Sequence, residues 1–489
     1  MKGRARLWRI AASLLVLTGC GTTVLYRTIE PAAAPSVEPT SIRQQQLSKG
    51  TQKAVNLANG APAIAAADRC AKNADPAHGF TSKSIEWGTI IPLTGALRPL
   101  GEQTARVMRV SVDYLNSVTS VPGGFDWGCP GRPGIWGRTV NLTVLSLSEN
   151  TQDEAAAAMR RLIDVDHVFL VRDCYLESNL MGPATTYQNS KKVPGIWCYF
   201  SEWPFPAMAS WNYAPGTDLM KVASIHAGYL MNKLGLKRLA ILADPSVSQN
   251  MVPVIKAIFR YVNGYDMPDG CVAYKKAQEA PGGMQSEIQS IRNCYASKSP
   301  STPSPNAVLA LDAENGVFGA ISAHNAGWDM RSSSNPDGPQ WSCSTCWVQT
   351  LADVCRSACT GMITDCQALP CIPWSNLPAA KTLEGIRARY MPNEPKDVLT
   401  YGPMAITLGL GLWLGMTGPN LSQAGLIHTV STLHNWDAGI GPILSTSASD
   451  HFGGKAIWML TFNGVDFSDY THGFQTLSDV KVPESLTRT

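Results

Sequence analysis

Six of the thirteen cysteines crowd into one stretch, as Cys343-x-x-Cys346, Cys355-x-x-x-Cys359, Cys366 and Cys371. Thiols at this spacing have two chemistries: thiolates that bind zinc, or disulfides that form and exchange. The compartment decides between them, because disulfides persist after export and are rare in the cytosol. The N-terminus points to export. Lys2, Arg4, Arg6 and Arg9 precede a short apolar run, Ile10–Leu17, and then Leu17-Thr18-Gly19-Cys20. A small residue before a cysteine is the pattern at which a thiol is diacylated and the chain is cut, leaving Cys20 as a lipidated N-terminus. The apolar run is too short to span a bilayer, and two or three acyl chains anchor stably where one is marginal. With Cys20 set apart, twelve cysteines remain, which six disulfides would use up. Disulfides are therefore expected over zinc. Cys70 with Cys129 and Cys271 with Cys294 are candidate pairs, although spacing alone leaves connectivity open.

Other chemistry-bearing patterns do not occur. There is no G-x-S-x-G, H-E-x-x-H or P-loop, and the eight histidines are scattered. No catalytic residue, metal site or cofactor is expected. The formal charge of +3 is small for 489 residues, so no nucleic-acid or acidic-membrane partner is implied. Met404–Met416 is apolar but short and broken by Gly409, Gly411 and Gly415, which argues against a membrane span.

The elements that would position any site alternate strand and helix. Ile85–Ile91 is an apolar strand, followed by the turn Pro92-Leu93-Thr94-Gly95 and a helix with Val107, Val110, Tyr114 and Leu115 at helical spacing. Val140–Leu147 reads as a strand, Asp153–Ile163 as an Ala-rich helix, and Val168–Val171 as a third strand. Such alternation implies right-handed crossovers, a parallel sheet, and sites at the carboxyl ends of its strands. After Pro215-Gly216 the pattern restarts. Leu219–Leu234 and Val252–Val262 are helices around a strand at Arg238–Leu242, and strand Ala307–Leu311 leads to helix Gly316–Ala326. Ala456–Phe462 reads as the last strand, with Asp450-His451 and Gly453-Gly454 turning into it. Residues 21–50 are a flexible, Pro-spaced tether.

Together these pieces resemble the type I periplasmic solute-binding proteins, the Leu/Ile/Val-type receptors of ABC transporters. The resemblance rests on Pro92-Leu93-Thr94-Gly95, Gly101, Asp113 with Asn116, and Gly137-Arg138-Thr139-Val140, and runs to about Phe467. It implies an α/β fold of two doubly wound parallel-sheet lobes joined by a three-segment hinge. Residues 1–20 would be the lipoprotein signal, 21–83 the tether and N-terminal extension, and 476–489 a C-terminal tail. Lobe one would comprise 84–213 plus 367–445, and lobe two 214–366 plus 446–475. The second and third crossings would lie near Thr364–Cys371 and Pro442–Ser447. The family often bridges the region of Cys174 and Cys198.

The resemblance also implies ligand residues. Ser178 and Ser201 match hydroxyls that receive a ligand carboxylate. Tyr175, Tyr199, Trp203 and Trp341 would supply flat faces in the cleft, with Ser344 beside Trp341 in a loop aligned at Gln340–Cys346. Trp197 is the aromatic expected in the core instead. Amino-acid receptors carry an acid in that lobe-two loop and a tyrosine at Asp244–Asn250. Here the loop has none and Ser248 stands in the tyrosine position, so a simple branched-chain amino acid is not the expected solute. Asp244, Asp312 or Glu314 are the substitutes at hand. The implied protein is a monomeric, membrane-tethered solute-binding lipoprotein of the cell envelope, on the outer face of the cytoplasmic membrane or in the periplasm. It would deliver a small molecule to an ABC permease without any catalytic step. A ligand-sensing receptor or scaffold of the same fold is the alternative.

Overall fold

The computed structural model describes residues 68–94, 98–120, 126–148, 151–172, 178–197, 210–214, 216–245, 250–276, 282–366, 378–436 and 443–487. The expected export signal, Cys20 and the expected tether lie outside these residues.

The first sheet is wholly parallel, in the order β2-β1-β3-β4-β5. Its strands are β1 (Ser84–Ile91), β2 (Thr139–Ser146), β3 (Leu170–Arg172), β4 (Gly195–Ile196) and β5 (Asn212–Tyr213). β1 pairs along its whole length, from Ser84 opposite Thr139 to Ile91 opposite Ser146. A central parallel strand is covered on both faces, and all of β1 except Ser84 and Glu86 is buried. Helices α1 (Arg98–Ser117), α2 (Gln152–Arg160) and α3 (Ser178–Ser190) connect the strands. α1 buries Val107, Met108, Val112 and Leu115.

The second sheet repeats the order and extends it: β12-β11-β10-β9-β8-β6-β7. Here β6 is Leu239–Ala243, β7 Val272–Tyr274, β8 Ala307–Ala310, β9 Gln340–Cys343 and β10 Ile363–Cys366, all parallel. β11 (Ala456–Phe462) and β12 (Phe467–Thr476) add an antiparallel hairpin, so Ala456–Phe462 is followed by one more strand than the sequence suggested. β12 is a polar, half-exposed edge strand, which hides its period. The helices of this lobe are α4 (Leu219–Gly228), α5 (Met251–Asn263), α6 (Gln285–Arg292), α7 (Ala313–Asn325) and α8 (Gln349–Cys355).

Between β10 and β11 the chain returns to the first lobe as α9 (Pro378–Tyr390), α10 (Val398–Thr417) and α11 (Gln423–Ser431). α10 is long and apolar enough to cross a membrane, yet 94% of its apolar window is buried in the fold. A helix that is apolar all round belongs in a core, and this one packs on α1. Gly411 permits the approach: a Cβ there would stand 2.6 Å from Leu115 Cδ1.

Two crossings between the lobes run side by side. Gly216 bridges Gly453 in parallel, Gly216 N–H donates to Phe452 O (2.7 Å), and Gly454 N–H donates to Gly216 O (2.7 Å). The rings of Tyr213 and His451 stack beside them at 4.3 Å. This pairing lies at residues 451–454, beyond the Pro442–Ser447 segment expected for the third crossing.

The first and last stretches of the described residues attach to different lobes. Cys70 is bonded to Cys129, and Ala71 N–H donates to Trp136 O, on lobe one. Val480 and Val482 close over Gly228 of α4, on lobe two, and Asn232 Nδ2 donates to Val480 O (2.9 Å). The pairs Cys271–Cys294, Cys343–Cys346 and Cys355–Cys359 also form. Cys366 is disulfide-bonded as well.

Candidate functional site

Both sheets reverse winding direction after their first strand, so each has a switch point: between β1 and β3, and between β6 and β8. Ligands of doubly wound sheets sit outside the carboxyl ends of the strands at that point.

On lobe one this edge is the Pro92–Thr94 turn. Thr94 Oγ1 donates to Leu147 O (2.9 Å), and Leu93 N–H donates to Ser146 Oγ (3.3 Å), fixing the turn to the end of β2. Gly101 lets α1 rest on the turn, because a Cβ there would stand 1.9 Å from Pro92 O. Asn116 clamps the start of β2, donating to Val140 O (2.9 Å) and accepting from Val140 N–H (2.6 Å). Arg138 is fully buried and donates to the carbonyls of Thr81 (2.7 Å), Pro419 (2.8 Å) and Asn73 (2.9 Å) and to Asn73 Oδ1 (2.6 Å). Burial lowers its pKa to about 10, with nearby Arg132 adding to the effect. These motif residues build the frame of the site; their polar groups engage the chain itself.

Arg172, at the end of β3, is likewise buried. Its guanidinium donates to Thr407 Oγ1 and to Pro403 O (3.1 Å) of α10 and lies 5.6 Å from the centre of the Trp87 ring. Ser178 is the first residue of α3. Tyr175, Tyr199, Ser201, Trp203 and Ser248 lie outside the described residues.

On lobe two, Trp341 and Ser344 do not present themselves to a ligand. Gln340–Cys343 is strand β9 rather than a loop. Trp341 is fully buried, with its ring edge-on to Trp328 at 6.2 Å. Ser344 is also fully buried, and its hydroxyl donates to Leu311 O (2.8 Å).

What the edge does present is an ion cluster that includes a residue absent from the sequence reading. Lys275, just past β7, pairs with Asp244 at the end of β6 (3.3 Å) and with Glu314 in the first turn of α7. Burial alone would lower the pKa of this lysine, but the two carboxylates more than offset it and the pKa is raised. Asp312 caps α7, accepting from Asn315 N–H (2.9 Å). Burial pushes its pKa up to about 6, and the nearby charges of Asp244 and Glu314 add to that. β7 is three residues long, too short for its period to single out the lysine that follows.

Beneath this edge, Ser342, His226 and Asp365 form a line: His226 Nδ1 lies 2.6 Å from Ser342 Oγ, and Nε2 lies 3.0 Å from Asp365 Oδ1. The residue types are those of a hydrolytic triad, but all three are at most 2% exposed. No substrate reaches that hydroxyl, and the line acts as an internal tie between α4, β9 and β10. Among the described residues, no three His, Cys, Asp or Glu side chains are grouped to hold a metal ion.

Comparison with known proteins starts from two negatives: no family model matches the chain, and no curated protein does. Solved structures do match. A possible leucine/isoleucine/valine-binding protein from Rhodopirellula baltica superposes with a TM-score of 0.64 at 13% identity, covering 82% of this chain and 99% of that one. The chain has the type I periplasmic-binding-protein fold. A fatty acid ABC transporter substrate-binding protein from Thermomonospora curvata shares this fold at TM-score 0.64 and 16% identity, covering 84% and 96% of the two chains. So does an ABC-transporter solute-binding protein from R. palustris in complex with benzoate, at 0.60 and 15%, covering 80% and 96%. In a type I periplasmic-binding fold of this chain's composition, the switch-point edge of lobe two is the cluster of Asp244, Lys275, Asp312 and Glu314.

Proposed function

We propose that this chain is an extracytoplasmic solute-binding lipoprotein, anchored through Cys20, that captures a small molecule between its lobes and passes it to an ABC permease. The observation that carries the reading is the repetition of one winding order in two lobes joined by paired backbone crossings. That construction holds a ligand by moving two walls together, with no bond made or broken. Two of the solved structures of this fold named above, the fatty acid protein and the benzoate complex, are solute-binding proteins of ABC transporters.

The solute is not a simple branched-chain amino acid. Asp244 and Glu314 already engage Lys275, so a ligand ammonium would have to compete with a lysine for both. An ammonium left unpaired in a closed cleft is costly. The lobe-one hydroxyls Ser178 and Ser201, with Tyr175, Tyr199 and Trp203, form the opposite wall in this proposal.

A thermal-shift screen of the soluble form starting after Cys20 tests it. The panel holds amino acids, amides, polyamines, aromatic acids, fatty acids and short peptides. A ligand at 100 times its Kd adds about 2.7 kcal/mol to stability and raises Tm. A dose-dependent rise with one class supports capture. A rise with leucine, isoleucine or valine overturns the exclusion, and turnover of a bound compound overturns the binding-protein reading. Silence across the panel counts against capture.

A further inference from the structure

The β9–α8 loop of lobe two reaches onto lobe one and grips the start of α10. Trp347 Nε1–H donates to Lys396 O (3.2 Å), Val398 N–H donates to Trp347 O (3.1 Å), and Gln349 N–H donates to Asp397 Oδ2 (3.1 Å). The Trp347 ring stacks on Tyr401, with centroids 5.9 Å apart and planes 21° from parallel. Trp347 is 1% exposed and Tyr401 is fully buried, so a large apolar area is shared between the lobes. Every partner in these contacts is a group of the chain itself. We propose that Trp347 is a latch that holds the two lobes closed, so that the closed form is the resting state before any solute binds.

Both halves of the latch are fixed in advance. On lobe one, fully buried Asp397 accepts from Thr400 N–H (3.1 Å) and Gln103 Nε2 (2.9 Å), leaving its other oxygen for Gln349. On lobe two, Asp365 Oδ1 accepts from Thr345 N–H (3.0 Å) while meeting His226. Thr345 has a φ of 71°, in the left-handed region that side chains rarely adopt, and the Cys343–Cys346 bond closes the turn around it. A strained turn persists where its surroundings over-determine it. Here the over-determined turn delivers the next large residue, Trp347, across to lobe one. A device that must open also needs a low-cost route, which the glycine-lined crossings provide.

The latch is tested without any solute, so it stands or fails separately from the transport reading. Hydrogen exchange at the Gln349 and Val398 amides reads the contact itself, and small-angle X-ray scattering reads lobe separation. In the wild-type protein both amides are protected and the scattering is that of the closed form. Trp347→Ala lowers protection of both amides by about 100-fold or more, given the usual cost of truncating a buried tryptophan. It also raises the radius of gyration, while Ile90 and Ile241 in the two sheets stay protected. Trp347→Phe keeps a ring on Tyr401 but lacks the indole donor and gives an intermediate result. Fast exchange of the two amides in wild type overturns the latch. So does loss of protection in Trp347→Ala with unchanged scattering, which would make the contact a pivot kept in the open form.

Discussion

Gly454 lies so close to Gly216 that a Cβ on Gly454 would stand 2.2 Å from the Gly216 carbonyl carbon and 2.3 Å from its oxygen. The obstacle is backbone, not a side chain that can swing away. Gly454→Ala must therefore push two lobe crossings apart. The expected loss is on the order of 1–3 kcal/mol, the usual range for overpacking. A urea titration checks it, and a midpoint equal to wild type would contradict this account of the hinge.

Arg138 holds the N-terminal segment, the start of β2 and the α10–α11 connection by donating to three carbonyls and an amide oxygen. A lysine carries the charge but cannot reproduce the guanidinium fork. Arg138→Lys leaves buried carbonyls unmet and should cost on the order of 3 kcal/mol. Limited proteolysis should then begin within residues 68–83, ahead of either sheet.

Asp397 makes stability depend on pH. Burial pushes its pKa from 3.8 up to about 6, against the hydrogen bonds from Gln349, Thr400 and Gln103. Between about pH 6 and about pH 4 the folded chain keeps a proton that the unfolded chain has released. This residue's contribution therefore improves as pH falls through that window, and above it the buried charge costs on the order of 3 kcal/mol. Unfolding free energies of wild type and Asp397→Asn, measured from about pH 7.5 to about pH 4.5, should converge or cross in wild type's favour on acidification. Parallel curves would contradict the assignment.

Gly316 sits beneath the Cys343–Cys346 bond, where a Cβ would lie 2.4 Å from one sulfur and 2.5 Å from the other. Alanine within a helix ordinarily gains about 1 kcal/mol over glycine. Gly316→Ala in α7 should instead lower Tm. The penalty should shrink in reductant, where the sulfurs can separate; an equal penalty in both conditions would point to a different cause.

The sequence made most of the frame legible because its signals are local. The apolar run of β1, the restart after Pro215-Gly216, and the strand at Ala456–Phe462 all stand where their patterns put them. The family-like motif residues Gly101, Asn116 and Gly137 were visible for the same reason, each serving a nearby backbone need, whereas the partners of Arg138 reach as far as Pro419. β9 was hidden because two of its four residues are polar. Gln340 donates to Gly361 O and Ser342 meets His226, partners that no linear pattern reveals.

The wall of the site was harder to read than the frame. Trp341 looked like a cleft aromatic because the resemblance aligned Gln340–Cys346 with a ligand loop, but its segment is strand β9 and its ring is buried against Trp328. Lys275 carried no pattern of its own. It acquires meaning from Asp244 and Glu314, 31 and 39 residues away in the chain, which the switch point of lobe two brings to it.

Because Cys70 is bonded into lobe one while Val480 and Val482 are packed into lobe two, the first and last described residues are natural mechanical handles. A pull applied at residues 68 and 487 would load the crossings before it strained either sheet. In a single-molecule stretching experiment, lobe opening would therefore register as a discrete step in extension, ahead of any unfolding.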